Sequence, residues 1–330
     1  MQFDGQMWSD WLAWIVGPAD RVFPVYLALT LALCAAIHWR RRISGSLLAW
    51  LFPRSIYFHA SHIVDVKLFL LNRVMGWFGV LQLVAVGALI ASGVAHSFSF
   101  EANLAPFHPL WIAALLLLVA DFGTYWVHRL HHENPIIWPF HALHHSAQVM
   151  TPLTVYRKHP IYDLISTLVK GVLIGILQGG FLVLFDQRPS VFVIAGANLF
   201  YVLFNALGAN LRHSHIWLSY GPVLERILIS PAQHQIHHST APEHHDKNYG
   251  EVLAIWDWMF GTLYVPKGHE VIEYGLADEE GRSLPQRHTS LASALLVPLS
   301  DSAQELARLV RPPLDGAAND QAAREKLSDG

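Results

Sequence analysis

Hydrophobic positions in this chain come in blocks too long for the core of a soluble domain. Five stretches approach the ~20 mostly apolar residues that a helix needs to cross a bilayer. They are Val22–Trp39, Val74–Ala95, Pro109–Val127, Ile161–Phe185 and Val191–Leu211. The second and fifth hold no charged residue, whereas the fourth carries Asp163 and Lys170, as a tilted or partly buried segment would. Only Asp186–Ser190 joins the fourth to the fifth, which predicts a tight helical hairpin. Ahead of these, Trp8, Trp11, Leu12 and Ile15 share one helical face, so residues 1–21 read as an interfacial segment. No basic residue precedes Arg21, so a cleaved signal peptide is not expected. Residues 22–265 form the membrane-embedded unit. Residues 266–330 are a polar cap, with a surface helix at Ser302–Val310 and a disordered end from Pro312.

The expected fold is therefore all-α, an integral membrane bundle of about 4–5 transmembrane helices. Lys and Arg collect on cytoplasmic loops. Arg40, Arg41, Arg42, Arg54, Lys67 and Arg73 follow the first stretch, and none lies between His96 and His108. Five crossings then put the N-terminus outside and the ends of the third and fifth stretches on the cytoplasmic face.

Composition supports this and adds a second signal. Of 330 residues, 53% are hydrophobic and 14% charged, with mean hydropathy +0.31, against about 25% charged in soluble domains. The formal charge of −3 carries no electrostatic footprint for nucleic acid. Cys34, the one cysteine, excludes internal disulfides, thiolate zinc sites and iron–sulfur clusters. Histidine is the excess: 21 residues, seven of them between His128 and His159 and seven between His213 and His245. Uniform scatter would put about four in those two windows together.

The spacing of these histidines points to metal. His128 and His132 lie one helical turn apart at the end of the third stretch. His141-x-x-His144-His145 puts three imidazoles on one helical face, and His234-x-x-His237-His238 repeats the pattern. His159 and His213 add one near each cluster. Eight histidines in three such motifs exceed one ion, and two ions fit the inventory. Imidazole suits iron, zinc, copper and nickel alike. His131 faces another way and reads as structural, while His269 and His288 read as solvated. Asp121, Tyr125, His128 and His132 form one stripe, where Asp121 could orient a ligand imidazole or bond a neighbouring helix. Asp257 could do the same near the last cluster.

The order His128-Arg129-x-x-His132, His141-x-x-His144-His145, Arg157-x-His159-Pro160, His213-Ser214, His234-x-x-His237-His238 and Asn248-Tyr249-Gly250 resembles the fatty acid hydroxylase/sterol desaturase superfamily. Trp138-Pro139-Phe140 and Trp256-Asp257-x-x-Phe260-Gly261-Thr262 fit as well, and the likeness covers roughly residues 120–265. It implies a membrane oxygenase with two iron ions in a cytoplasmic histidine-rich cap and O2 as co-substrate. By position, the implied ligands are His128, His132, His141, His144, His145, His159, His213, His234, His237 and His238. His215, where relatives often carry Asn, and His245, at a variable place, are further candidates.

The implied reaction is hydroxylation of a lipid C–H bond, fatty acyl, sterol-like or aminolipid, in a bacterial inner membrane. Desaturation by the same site is the alternative. No dinucleotide, haem or flavin motif is evident, so electrons are expected from a ferredoxin, cytochrome or reductase partner. The sequence leaves the oligomeric state open. Two other classes compete. A metal transporter would place ionisable ligands near mid-bilayer on broken helices, and a zinc hydrolase would want His-Glu-x-x-His, which does not occur.

Overall fold

The structure, a computed structural model, describes residues 21–77, 84–97, 108–185, 203–206 and 208–310. The interfacial helix expected before Arg21, most of Val191–Leu211 and the tail beyond Val310 lie outside the described residues. Within them every regular element is helical, and extended segments meet only at isolated bridges such as Leu228–Leu253 and Ser239–Tyr274.

The order runs α1 (Pro24–Arg40), α2 (Leu47–Leu51), α3 (Arg54–Tyr57), α4 (Ala60–Trp77), α5 (Val84–Ser97), α6 (Pro109–Glu133), α7 (Trp138–His145) and α8 (Pro160–Phe185). It continues with α9 (Pro231–His237), α10 (Ile255–Phe260) and α11 (Leu291–Val310). Proline opens α1 and α6 at the first turn, where its missing N–H costs nothing. The helix α6 runs past the apolar stretch to Glu133, held by an Arg129–Glu133 pair at 2.7 Å. It stops where Pro135 forces Asn134 into extended backbone. His128 and His132 thus ride on the last turns of a long apolar helix.

Among the described residues two helices, at Leu110–Glu133 and Pro160–Gly180, are long and apolar enough to cross a membrane, and α1 is a shorter apolar helix. Of the second stretch, Val74–Trp77 belong to α4 and the part from Val84 to α5 (Val84–Ser97), while residues 78–83 lie outside the described residues. What brings α5 against α8 is glycine. Gly171, Gly175 and Gly179 stand every fourth residue on α8. A Cβ on Gly175 would lie 2.6 Å from the Gly87 carbonyl, and one on Gly179 2.6 Å from Val94. This is the small-residue seam by which helices approach closely where lipid offers no hydrophobic drive.

The polar segment after α10 carries a tight turn from Asp278 to Arg282. It leads into α11, which begins at Leu291 rather than Ser302 because Ala294 and Leu291 pack on Val64, Leu68 and Leu143. Arg157 is the hub beneath α7. Fully buried, it donates to the Leu143 carbonyl (2.8 Å), Ser146 Oγ (2.9 Å) and Asp65 (2.8 Å), tying α7, α4 and the approach to α11 together.

Candidate metal centre

Nine histidines converge between α6, α7, α9 and the turn Ala209–Leu211. They sort into two groups, and within each the ligand atoms all lie within 4.8 Å of one another. The first holds His128, His132, His141, His145 and His237; the second holds His144, His213, His234 and His238. In the first, Nε2 of His141 and His145 stand 3.2 Å apart. In the second, His213 Nε2 lies 3.1 Å from His144 Nε2 and 3.0 Å from His234 Nε2.

The rings of the first group are aimed from behind. His128 Nδ1 donates to the Tyr249 carbonyl at 2.7 Å, and His237 Nδ1 to the Lys247 carbonyl at 2.8 Å. Each Nε2 therefore presents a lone pair, and both are buried without a partner, as is His132 Nε2. Burying polar atoms unpaired is costly. An ion at ~2 Å from each imidazole would satisfy them together. Burial, and after it the neighbouring rings, hold His141, His144, His145, His234 and His238 well below the usual imidazole range, and burial followed by the Arg21, Arg212 and Lys158 charges does the same to His213. Burial also lowers His237 to about 4, against opposing hydrogen bonding. The donor set is neutral imidazole throughout, which fits a first-row metal such as iron, zinc, copper or nickel.

The loop behind the rings explains the Asn248-Tyr249-Gly250 motif. Asn248, at φ +57°, donates to the Gln233 carbonyl on α9 and accepts from Tyr264 N at 2.8 Å. A Cβ on Gly250 would sit 2.5 Å from the Leu253 carbonyl, so only glycine fits. The carboxylates act on this loop rather than on an imidazole. Asp257 accepts from Tyr249 N and Gly250 N, each at 2.8 Å, and from Thr262 Oγ1 at 2.7 Å. Burial pushes its carboxyl up to about 6, and these donors oppose the rise. Asp121 accepts from Val252 N (2.9 Å), Leu253 N (3.0 Å) and the Trp256 indole (2.9 Å). Its partners are two backbone amides and the Trp256 indole of α10, so it bonds a neighbouring helix through an indole rather than a Ser or Tyr hydroxyl, and it orients no ligand imidazole.

Other histidines lie apart. His159 uses both nitrogens, accepting from Ile161 N at 3.2 Å and donating to the Leu295 carbonyl at 3.1 Å. His215 donates to the Trp50 carbonyl at 2.8 Å, and His245 to that of Thr240 at 3.2 Å. His131 Nδ1 donates to the Val127 carbonyl of its own helix at 2.7 Å, and its Nε2 is buried without a partner. His288, expected in solvent, is buried beside Arg157, and burial lowers it to about 4.

Among the described residues, two cavities reach the rings. One, of about 170 Å³, approaches His132, His145 and His237 from the polar segment around Gly275–Ala277. The other, of about 120 Å³, opens between α6 and α8 onto His128, His141, His144, His213 and His234. Its wall carries Arg21, Lys158, Lys170, Arg212, Asp163 and Glu251, whose convergence the spacing of histidines does not signal. Burial opposes ionisation of Glu251, but Arg21, 3.4 Å away, then Arg212, Lys170 and Lys158 hold it down at about 2.

Residues 113–262 match the fatty acid hydroxylase family, and this stretch contains both histidine groups, Asp121 and Asp257. That part of the chain is similar to members of the fatty acid hydroxylase/sterol desaturase superfamily. It is similar to the alkylglycerol monooxygenase of Danio rerio, 34% identical over 176 residues, 53% of this chain and 35% of that protein. It is similar also to the ornithine lipid hydroxylase OlsE of Rhizobium tropici, 34% identical over 160 residues, 48% and 44% of the two chains. Delta(7)-sterol-C5(6)-desaturase of Nicotiana tabacum is 28% identical over 238 residues, 68% and 78% of the two. The chain spans about a third of the length of the alkylglycerol monooxygenases it matches. No solved structure matches it.

Proposed function

We propose that this protein is an O2-dependent membrane oxidoreductase that hydroxylates a C–H bond of a lipid, with two iron ions held by the nine converging histidines. The observation that carries this reading is the pair of buried, all-imidazole groups at the end of an apolar helix. The five-histidine group would hold one ion and the four-histidine group the other. Iron supplies O2 activation for cleavage of an unactivated C–H bond, chemistry that redox-inert zinc lacks.

The chain's own residues do the positioning. The Tyr249 and Lys247 carbonyls hold His128 and His237 in one tautomer with Nε2 inward, and Asp121 and Asp257 keep that loop from shifting. Leu164, Leu168, Val172 and Ile176 of α8 are exposed, as a lipid-facing surface would be. A substrate entering between α6 and α8 meets the rings from the apolar side. We place this membrane as a bacterial inner membrane with the histidines on its cytoplasmic face, from the six cations between Arg40 and Arg73. Electrons come from a separate ferredoxin, cytochrome or reductase. Desaturation is the second reading, favoured by the breadth of the sterol desaturase match. Both readings start from the same hydrogen abstraction.

Lipid mass spectrometry on aerated cells, with a reductase supplied, tests the proposal by comparing wild type with His237→Ala. One lipid gaining one oxygen only with wild type is the expected result. A lipid losing two hydrogens would make the protein a desaturase, and no difference would overturn the oxygenase reading.

A further inference from the structure

The helix α8 carries its two charged residues on one stripe in its first half, Asp163, Ser166, Thr167 and Lys170, spaced i, i+3, i+4, i+7, and besides these only Tyr162 and Gln178 bear polar side-chain atoms. All four line the cavity that opens onto the two histidine groups. On other faces of the helix Leu164, Leu168, Val172 and Ile176 are exposed. Lys170 therefore stands ~15 Å into a helix able to cross a membrane, at 1.5 Å rise per residue. A charge at such depth is costly and marks a pathway or ligand site by default.

The opposite wall is charged too. Arg21 and Arg212 come from the far side of the chain, and Lys158 from the approach to α8, so four cations face two carboxylates. Glu251 and Arg21 pair at 3.4 Å, and Arg21 is fixed further by the Ala209 carbonyl at 2.9 Å. Lys158 lies over the Tyr162 ring, which stacks on His141 at 4.9 Å. The space against the rings is thus polar with a cationic excess, where a plain hydrocarbon or a sterol nucleus would want an apolar slot.

The geometry points to a headgroup pocket: resting on the lipid-oxidising reading above, this cavity takes the anionic headgroup of an amphiphilic lipid. The carbons next to that headgroup then lie against the histidine groups, and the tail passes out between α6 and α8. The bond oxidised sits near the polar end of the lipid. Phosphate and carboxylate share the chemistry the cations recognise.

The test is binding to the iron-loaded, detergent-solubilised full chain without O2 or reductant, by calorimetry. Three short-chain probes are compared: a dihexanoyl phosphatidate, an N-decanoyl amino acid and the uncharged 1-O-decylglycerol. Both anionic probes, or one of them, should bind at least about tenfold more tightly than the uncharged ether. The tighter of the two names the headgroup. Lys170→Gln should abolish that preference while leaving 1-O-decylglycerol binding and bound iron unchanged, and Lys170→Arg should keep it. Should Lys170→Gln not fold, Lys158→Gln takes its place with the same expectation. Equal affinity for all three probes, or an unchanged preference in the folded Gln variant, would overturn the pocket. A protein that binds anionic lipids as stated and yet oxidises none would sink the oxygenase reading and leave the pocket standing.

Discussion

The two histidine groups draw on the same two motifs in opposite senses. His141 and His145, the i and i+4 positions of their triplet, join the first group, and His144 joins the second. In the other triplet His234 and His238 join the second group and His237 crosses to the first. Helical geometry requires a split of this kind. Positions i and i+4 diverge by only ~40°, whereas i+3 and i+4 diverge by ~100°. One triplet therefore cannot aim all three rings at one ion, and two facing triplets supply two sites. The groups differ in what holds them. The first is braced by carbonyls and, through them, by buried carboxylates. The second lacks that brace among the described residues: the Nδ1 atoms of His144, His234 and His238 are buried without a partner, and the Nε2 atoms of His144 and His234 stand 3.1 and 3.0 Å from that of His213. One half is preset by the backbone, and the other has no such brace.

Removing one ligand from each half probes this division hardest. His237→Ala and His234→Ala should each lower bound iron from two to about one per chain and cut activity by at least about a hundredfold, a loss of ~3 kcal/mol or more of transition-state stabilisation. Metal analysis of the purified variants decides between separate and merged sites. Loss of both ions from either variant would show a single cooperative centre and dissolve the comparison.

A subtler break targets the brace alone. Asp257→Ala frees the amides of Tyr249 and Gly250 and loosens the carbonyl that aims His128. One iron equivalent should bind about 10–100-fold more weakly, the usual cost of losing an outer partner of a ligand, and the other should be unaffected. Asp257→Asn should not rescue it, since its amide nitrogen would face an N–H. Equal weakening of both equivalents, read by chelator competition, would mean that the loop braces both halves.

Much of this half-and-half design is legible in the chain, for a physical reason. Ligand spacing is local, so His-x-x-His-His on a helix announces converging rings before any fold is known. Which ring belongs to which group is set by the meeting of α7 with α9, and no spacing carries that. Asp121 and Asp257 stood out because a carboxylate beside an apolar helix needs a partner. That the partner is a backbone loop follows only from the return of residues 249–253 to α6. The seam of Gly171, Gly175 and Gly179 had a readable signal in its four-residue period. The cationic cavity had half of one, since Asp163 and Lys170 were visible as charges in an apolar stretch, but Arg21 and Arg212 arrive from distant segments. His288 was misjudged because burial by Arg157 is a tertiary event.

Acid should separate folded from unfolded chains gradually. Burial holds the clustered imidazoles neutral below pH 6.5, where the unfolded chain takes up protons, so stability is present above that value and lost as pH falls. For His237, lowered to about 4, the loss between pH 6.5 and 4 is about 3 kcal/mol. The melting temperature of the iron-free protein in detergent should drop steadily across this range, and bound iron should shift the drop to lower pH. A flat profile would mean that water reaches the rings.

The smallest effect is expected where the superfamily likeness and the geometry part company. His159 sits in the ligand series by position, yet its Nδ1 accepts from Ile161 at the start of α8 and its Nε2 donates to the Leu295 carbonyl of α11. Neither lone pair nor proton is left for an ion, and the ring packs on Phe140 at 5.0 Å. His159→Ala should therefore lower stability by about 1 kcal/mol, the net worth of such a bond. Two irons should stay bound, and activity should fall no more than a few-fold. His159→Gln, able to accept and donate, should recover part of the stability. Loss of one iron in the folded His159→Ala protein would return this residue to the ligand set and show that α11 gives way when metal binds.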